Sequence, residues 1–416
     1  MTPIRSDLDQ VLVTDREHWL DGPPHELFTR LRNECPVHWT PRVSEYPTED
    51  GYWSVTRPDD IHTVSRDWRT FSSAMGITAV SDLFLELMQA MFIGMDPPKH
   101  DRLKMLFQAG FTPRRIAAHE EAIRQIATDV LDRLGDCETC DLVTDVAQPI
   151  VSRVIGSFMG IPPEDDAVWA RLMNTSLAAG DPDLAPEGLE SIMANEIPEI
   201  FRRCSEMIAA RRENPTDDLT SVLVHAEIDG SKLEEHEIVM GFFLLVAAGN
   251  DSTKATYCSG MRALMDHPDE RAILLDDPSL IPSAVEESLR MFPAFAHFRR
   301  TATSDTEVAG QQIREGDKVV MWYVASNRDE SRYPDPDRFD VRRNPEHQAF
   351  GAGGRHFCLG AALARLELRI MFEETLARYP EMELTGRGTF VESGFINQLK
   401  TLPVRLTPPT PKASAG

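Results

Sequence analysis

At 416 residues the chain exceeds the usual single-domain size, yet no low-complexity linker divides it, so one large, mostly helical domain over 1–407 is expected. Its 67 acidic and 43 basic side chains leave a formal charge of −24, which argues against a nucleic-acid partner in a chain without a basic tract. Six irregularly spaced cysteines do not form a disulfide framework, the N-terminus has no signal-peptide pattern, and the longest apolar run, 242–248, is too short to cross a bilayer. A cytoplasmic protein without a membrane anchor is expected, with 408–416, rich in Pro, Ala and Ser, as a disordered tail.

In chain order, 51–56 reads as a strand that follows a polar, proline-bearing turn over 46–51. The stretch 81–95 is rich in soft apolar residues, Leu83, Leu87 and Met88 among them, that suit a core or an apolar pocket. Asp96-Pro97-Pro98 opens a helix on which His100 and Lys104, four residues apart, share a face able to hold an anion, with a solvated basic face as the alternative. Apolar spacing predicts a helix from Ile123 to Gly135. Cys137 and Cys140 form a lone C-x-x-C in a loop, and 180–188 is a long loop of the kind that serves as a lid.

The segment 235–266 reads as one long helix whose apolar middle passes into Gly249-Asn250-Asp251-Ser252-Thr253. Polar groups are costly in a buried helix, so this stretch marks either a satisfied polar cluster or a local opening for water or a small ligand. A helix over 281–292 carries Glu287 and Arg290 on one face. Short strands are expected around Gly310 and Gly316, and a hairpin within 389–406 turning near Gly394.

Near the C-terminus the turn 350–360, Phe-Gly-Ala-Gly-Gly-Arg-His-Phe-Cys-Leu-Gly, delivers Cys358 to the start of an amphipathic helix. A thiolate ligand needs a lowered pKa, which a helix N-terminus and the neighbouring Arg355 would supply. The glycines let the backbone approach something flat, and one thiolate without companion ligands suits a haem iron better than zinc.

Together these residues resemble the cytochrome P-450 superfamily, most closely its soluble bacterial members, over roughly 53–406. The resemblance implies a single-domain, mainly α fold with small β sheets, and haem b held between the long central helix and the cysteine-loop helix. It casts Cys358 as the metal ligand, and Phe350, Gly351 and Gly360 as its cofactor-binding turn. His100, Lys104, Arg300 and His356 become the partners of the haem propionates, and Glu287, Arg290 and Arg338 a structural triad. Ala248, Gly249, Asp251 and Ser252 become the oxygen-activating segment, in which Asp251 and Ser252 relay protons. A substrate pocket is implied at Leu83, Leu87, Met88, Leu244, Leu245, Ala294, Phe295, His297, Phe298, Phe395 and Ile396, with His297 and Asn397 as possible hydrogen-bonding handles. Three departures stand out: one extra residue in the cysteine turn, Lys104 where an arginine is usual, and Ser252 where a threonine is usual.

The resemblance further implies a monomeric monooxygenase that inserts one atom of O2 into a small hydrophobic substrate, with a steroid, terpenoid or branched lipid favoured. No flavin- or iron–sulfur-binding segment is present, so the electrons are expected from a separate ferredoxin and its NAD(P)H-dependent reductase, docked at a basic patch of Arg102, Arg114, Arg115, Arg355 and Arg365. A peroxide-driven peroxygenase and a non-catalytic haem sensor or carrier are the alternatives.

Overall fold

The computed structural model describes residues 8, 11–43, 46–79, 85–108, 110–228 and 230–407. Leu83 and the 408–416 tail lie outside the described residues. The apolar run 242–248 sits inside a 32-residue helix, Glu235–Asp266, with the bounds expected from the sequence. A capping box sets its start, the Glu237 side chain accepting from the Glu234 N–H at 2.9 Å. At its other end His267 precedes Pro268, and a residue before proline is steered out of the helical region.

This central helix is buried nearly all round, Phe242, Tyr257 and Leu264 being fully enclosed. Around it pack Gln148–Met159, Asp166–Leu177, Ile197–Glu213, Ile281–Met291 and Ala361–Arg378, the last being the helix that follows the cysteine. No helix among the described residues is long and apolar enough to cross a membrane.

Beside the helices lies a five-stranded sheet in the order Val37–Val43, Tyr46–Val55, Lys318–Trp322, His297–Ala302, Phe71–Ser72. Only the Tyr46–Val55 and Lys318–Trp322 pair is parallel. The expected turn over 46–51 is in fact the first half of a strand. Gly51 makes that possible, because a Cβ there would fall 2.4 Å from the Thr40 carbonyl oxygen of the neighbouring strand. The hairpin near the C-terminus forms as expected, Thr389–Phe390 pairing with Leu399–Thr401.

The loop 178–187 is pinned rather than free. Buried Asp181 accepts from the Glu392 N–H at 3.0 Å and pairs with Lys400 at 3.0 Å, which ties the loop to the C-terminal hairpin. Cys137 and Cys140 are free thiols, and no metal-ligating cluster occurs among the described residues.

Glu287 and Arg290 form a fully buried bidentate pair at 2.7 and 2.8 Å, and Arg290 also donates to the Asn327 and Pro336 carbonyls at 2.8 Å each. The expected third partner, Arg338, is misassigned. Its side chain is exposed and reaches Glu270 at 3.2 Å, whereas Arg343 contacts Glu287 at 3.1 Å. Only the backbone carbonyl of Arg338 joins the network, accepting from Arg343 at 3.3 Å. Arg343→Ala is therefore expected to lower unfolding stability by about 1.5–3 kcal/mol, the range for hydrogen bonds to a charged group, and Arg338→Ala by less than half as much. Denaturant midpoints of the two variants check the order, and the reverse order would restore Arg338 to the triad.

Candidate functional site

The cysteine turn packs on the helix Pro58–Arg66 and then opens toward a cavity. Gly353 and Gly354 have φ of 83° and 81°, and a Cβ at Gly354 would lie 2.8 Å from the Ser65 carbonyl oxygen. Their glycine character thus answers to left-handed backbone and helix contact. Gly351, also left-handed at φ 92°, and Gly360 line the cavity, where close approach to a flat group remains the fitting reason for Gly360. The Cys358 N–H donates to the Phe350 carbonyl at 2.9 Å, so the extra residue in the turn leaves Phe350 beside the cysteine.

Burial pushes the Cys358 thiol up, opposed by the Gly360 and Ala361 N–H groups and by the charges of Lys104 and Arg365. The sequence expectation of a lowered pKa beside Arg355 is not met. Arg355 pairs with Asp101 and stacks over the Trp68 ring at 5.1 Å. The protein prepares a sulfur flanked by N–H donors and two cations, and a bound metal ion itself completes the deprotonation of a coordinating thiol.

Across the cavity from the cysteine turn runs the central helix, which contributes Leu244, Leu245, Ala248, Gly249, Ser252 and Thr253. The Ser252 hydroxyl donates back to the Ala248 carbonyl at 2.7 Å, a bond that competes with the helix's own. Asp251 does not line the cavity. It is ion-paired with Lys254, both are buried, and Lys254 also donates to Gln148 at 2.7 Å and Asn174 at 2.9 Å. The expected acid–alcohol pair is split: Ser252 faces in and Asp251 faces away.

One rim of the cavity is cationic. Along His297–Ala302 side chains alternate, so Phe298 and Arg300 reach the cavity while His297 and Arg299 face the other way. Arg300 is buried, donates to the Arg299 carbonyl at 2.8 Å, and forms no ion pair among the described residues. His100 and His356 meet at a tilt of 48° with ring centroids 4.2 Å apart, Asp101 bonding the first at 2.9 Å and Ser73 the second at 3.1 Å. Lys104 lines the same wall but donates to the Arg355 and Phe357 carbonyls of the cysteine turn, which makes it a brace for that turn.

Burial and the neighbouring positive charges lower the pKa of His356 well below its ordinary value, and burial is also the largest cause of the lowered pKa at His100, Lys104 and Arg300. A rim of desolvated donors around a guanidinium without an ion pair among the described residues fits a group that brings carboxylates. The apolar gap between the cysteine turn and the central helix fits the flat body of such a group, so these residues suit the haem that the sequence implies.

Of the expected pocket residues, Leu244, Leu245, Ala294, Phe295 and Phe298 line the cavity. Phe395 stands behind them, its ring 5.1 Å from Phe295 and 5.6 Å from Phe298, and Ile396 pairs with Phe295 through a β-bridge. Leu87 and Met88 pack on the main core without lining the cavity. Neither proposed handle is free: His297 bonds the Ala79 N–H at 3.0 Å and the Gly394 carbonyl at 2.9 Å, and Asn397 donates to the Pro293 carbonyl at 3.1 Å. Phe92 and Ile93 also line the cavity, and sequence reasoning missed Ile155, Thr256, Leu289 and Glu367 there. Phe92 and Ile93 lay in the soft apolar stretch it had flagged.

The family model for cytochrome P450 matches residues 188–389. A methyl-branched lipid omega-hydroxylase of Mycobacterium tuberculosis is 38% identical over 386 residues, 91% of this chain and 90% of that protein. A steroid C26-monooxygenase of Rhodococcus jostii is 32% identical, covering 94% of this chain and 83% of that protein. Among solved structures, Mycobacterium marinum cytochrome P450 CYP268A2 in complex with pseudoionone superposes with a TM-score of 0.87 at 36% identity, over 92% of this chain and 94% of its own.

Two outcomes follow from this geometry. Arg300→Leu removes a rim cation, and the rate of haem transfer to an acceptor protein should rise at least about 10-fold, equivalent to about 1.4 kcal/mol. An unchanged rate would remove Arg300 from the rim's task. Burial pushes the His297 pKa down to about 3 from 6.5, so the ring stays neutral in the folded state while the unfolded chain takes up the proton. Stability is therefore lost as pH falls through that window. His297→Gln should flatten the acid limb of stability against pH by about 1 kcal/mol per unit between about pH 6 and 4, as read from denaturation midpoints.

Proposed function

Because the chain belongs to the cytochrome P450 family and is a haem b-dependent monooxygenase, we propose that it oxidises a steroid, a terpenoid or a branched lipid, with Cys358 as the iron ligand and a small ferredoxin as electron donor. The observation that carries the substrate class is the lining of Leu244, Leu245, Ala294, Phe295 and Phe298, with the expected handles His297 and Asn397 already bonded to protein. Apolar walls recognise shape and area more than charge. The names of the relatives, a branched-lipid hydroxylase and a steroid monooxygenase, support the same classes.

When bound, haem supplies the activation of O2 and the oxidising chemistry. The chain positions and excludes. His100, Arg300 and His356 hold the carboxylates at one rim, and Lys104 fastens the cysteine turn. The phenylalanines and leucines keep water from the reacting carbon. Ser252 Oγ shares the Ala248 carbonyl and can exchange that bond for one to a water in the cavity. One chain supplies the whole lining, so a monomer suffices, and six free cysteines suit a reducing cytoplasm.

The ferredoxin would dock on the cysteine side. The basic patch there is partly neutralised, since Arg102 pairs with Glu237, Arg115 with Asp217, Arg355 with Asp101 and Arg365 with Glu286. Arg114 forms no ion pair among the described residues, so it leads the steering charge. Reversing Arg114 and Arg115 together should slow ferredoxin-supported reduction about 10-fold at low salt and much less at high salt. Equal rates would place the docking surface elsewhere.

The substrate proposal is tested by titrating the holoenzyme with a steroid, a terpenoid ketone, a branched fatty acid and a compact polar aromatic, following the Soret band. Blue shifts at micromolar concentration with one of the first three, followed by coupled product formation, are expected. A shift with the polar aromatic alone would overturn the assignment.

A further inference from the structure

His100 is buried on the helix Lys99–Gln108 and lines the cavity. Its Nδ1 lies 2.9 Å from Asp101 Oδ1, and the other oxygen of that carboxylate pairs with Arg355. Asp101 stays ionised: burial raises its pKa, but the bonds to His100 and Arg355 outweigh that and hold it below the usual range. A carboxylate only accepts hydrogen bonds, so Nδ1 carries a hydrogen, and in a neutral imidazole Nε2 is then a bare acceptor. Nε2 has no hydrogen-bond partner among the described residues and is the nitrogen left to the cavity.

A bare Nε2 is the wrong group to meet a carboxylate. Both are acceptors and repel, whereas an Nε2–H donates a charge-assisted bond. The neighbours of the ring fix its charge beforehand. On its own helix Asp101 favours the cation and Lys104 opposes it, and Arg355 opposes it from the cysteine turn. The His356 ring lies 4.2 Å away, Arg300 adds a cation from the strand His297–Ala302, and the Asp96 carboxylate is taken up by Ser72 and Ser73. Burial is the largest influence, and the net effect lowers the proton affinity of His100. Near neutral pH the ring is therefore uncharged until a carboxylate arrives.

We infer that placing a haem carboxylate at this rim takes up a proton at His100 Nε2, so that an imidazolium holds it, and that Asp101 is the positioning residue that imposes this by keeping the hydrogen on Nδ1. The proton comes from solvent, the Nε2–H bond forms, and no other bond is made or broken. The new positive charge then lies between two carboxylates, the cofactor's and that of Asp101. Retention of the cofactor becomes pH-dependent with a definite sign. The bound state raises the proton affinity of His100, so the stabilisation is fully present below the free-state pKa and is lost as pH rises through the bound-state one. The inference rests on the reading that His100 meets a haem carboxylate, and the experiment separates the two.

Nitrogen NMR of the diamagnetic reduced carbon monoxide complex, with labelled histidine, reads both ring nitrogens directly. His100, identified by the signals lost in His100→Gln, should remain an imidazolium above the ordinary histidine value of about 6.5. Its deprotonation should move to lower pH in Asp101→Asn, back toward the parent in Asp101→Glu, and to higher pH in Arg355→Gln. A merely structural role would not give opposite signs. Haem transfer to an acceptor protein should quicken by up to about 10-fold per pH unit through the same transition. In His100→Gln transfer should already be faster at low pH and lack that rise. A neutral ring, or a rise that His100→Gln leaves intact although transfer quickens, would overturn the proton uptake while leaving His100 at the carboxylate. Transfer equal to the parent's at every pH would remove His100 from the rim, and the inference with it. If His100→Gln fails to bind haem, the other variants decide: no shift, or shifts of one sign in Asp101→Asn and Arg355→Gln, reject the assignment.

Discussion

The desolvation of His100, Arg300 and His356 at one rim, with Lys104 close behind, is the constraint on which the site depends. Burial lowers the proton affinity of each, and at His356 the charges of Arg300, His100 and Lys104 lower it further. Their placement draws on three separate parts of the chain: helix Lys99–Gln108, strand His297–Ala302 and the cysteine turn. The sheet fixes Arg300 by register, opposite Val319, and the turn is fixed by packing on helix Pro58–Arg66. Two carboxylates at this rim would supply the counter-charge, which would link cofactor binding to the stability of the site.

Polar groups elsewhere in the core follow the same rule, each with its own solution. Glu287, Arg290 and Arg343 satisfy one another and the carbonyls of the loop before the cysteine turn. Lys254 is saturated by Asp251, Gln148 and Asn174, which turns the Asp251 carboxylate away from the cavity. Glu367 forms no ion pair among the described residues, and burial pushes its carboxyl up to about 8. A buried pair is a weak source of net stability but a strong determinant of position, since losing either partner leaves an uncompensated charge.

Much of this was legible in the chain. The central helix could be bounded because its start and its following proline are local signals, and Glu287 with Arg290 because three residues apart on a helix means one face. The cysteine turn stood out by composition. What escaped depended on distant packing. Arg343 and Arg338 lie in the same turn-rich stretch, and only the loop's path decides which reaches Glu287. The strand over 46–51 carries turn residues, and its extension became visible only where Gly51 meets the Thr40 carbonyl. Asp251 and Ser252 are adjacent, yet helix geometry sends adjacent side chains about 100° apart, so one faces the cavity and the other Lys254. A single glutamate on a helix reads as a solvated face, and nothing local marks Glu367 as buried.

The central claim is that the folded chain offers Cys358 as a thiolate to iron within a cavity whose rim binds two carboxylates. The most direct measurement is the absorption spectrum of the reduced holoenzyme with carbon monoxide, taken for the parent and for Cys358→His. The account predicts a strongly red-shifted Soret band in the parent and its loss in the variant, with haem still bound. An unshifted band in the parent, or a red-shifted band that survives Cys358→His, would contradict it.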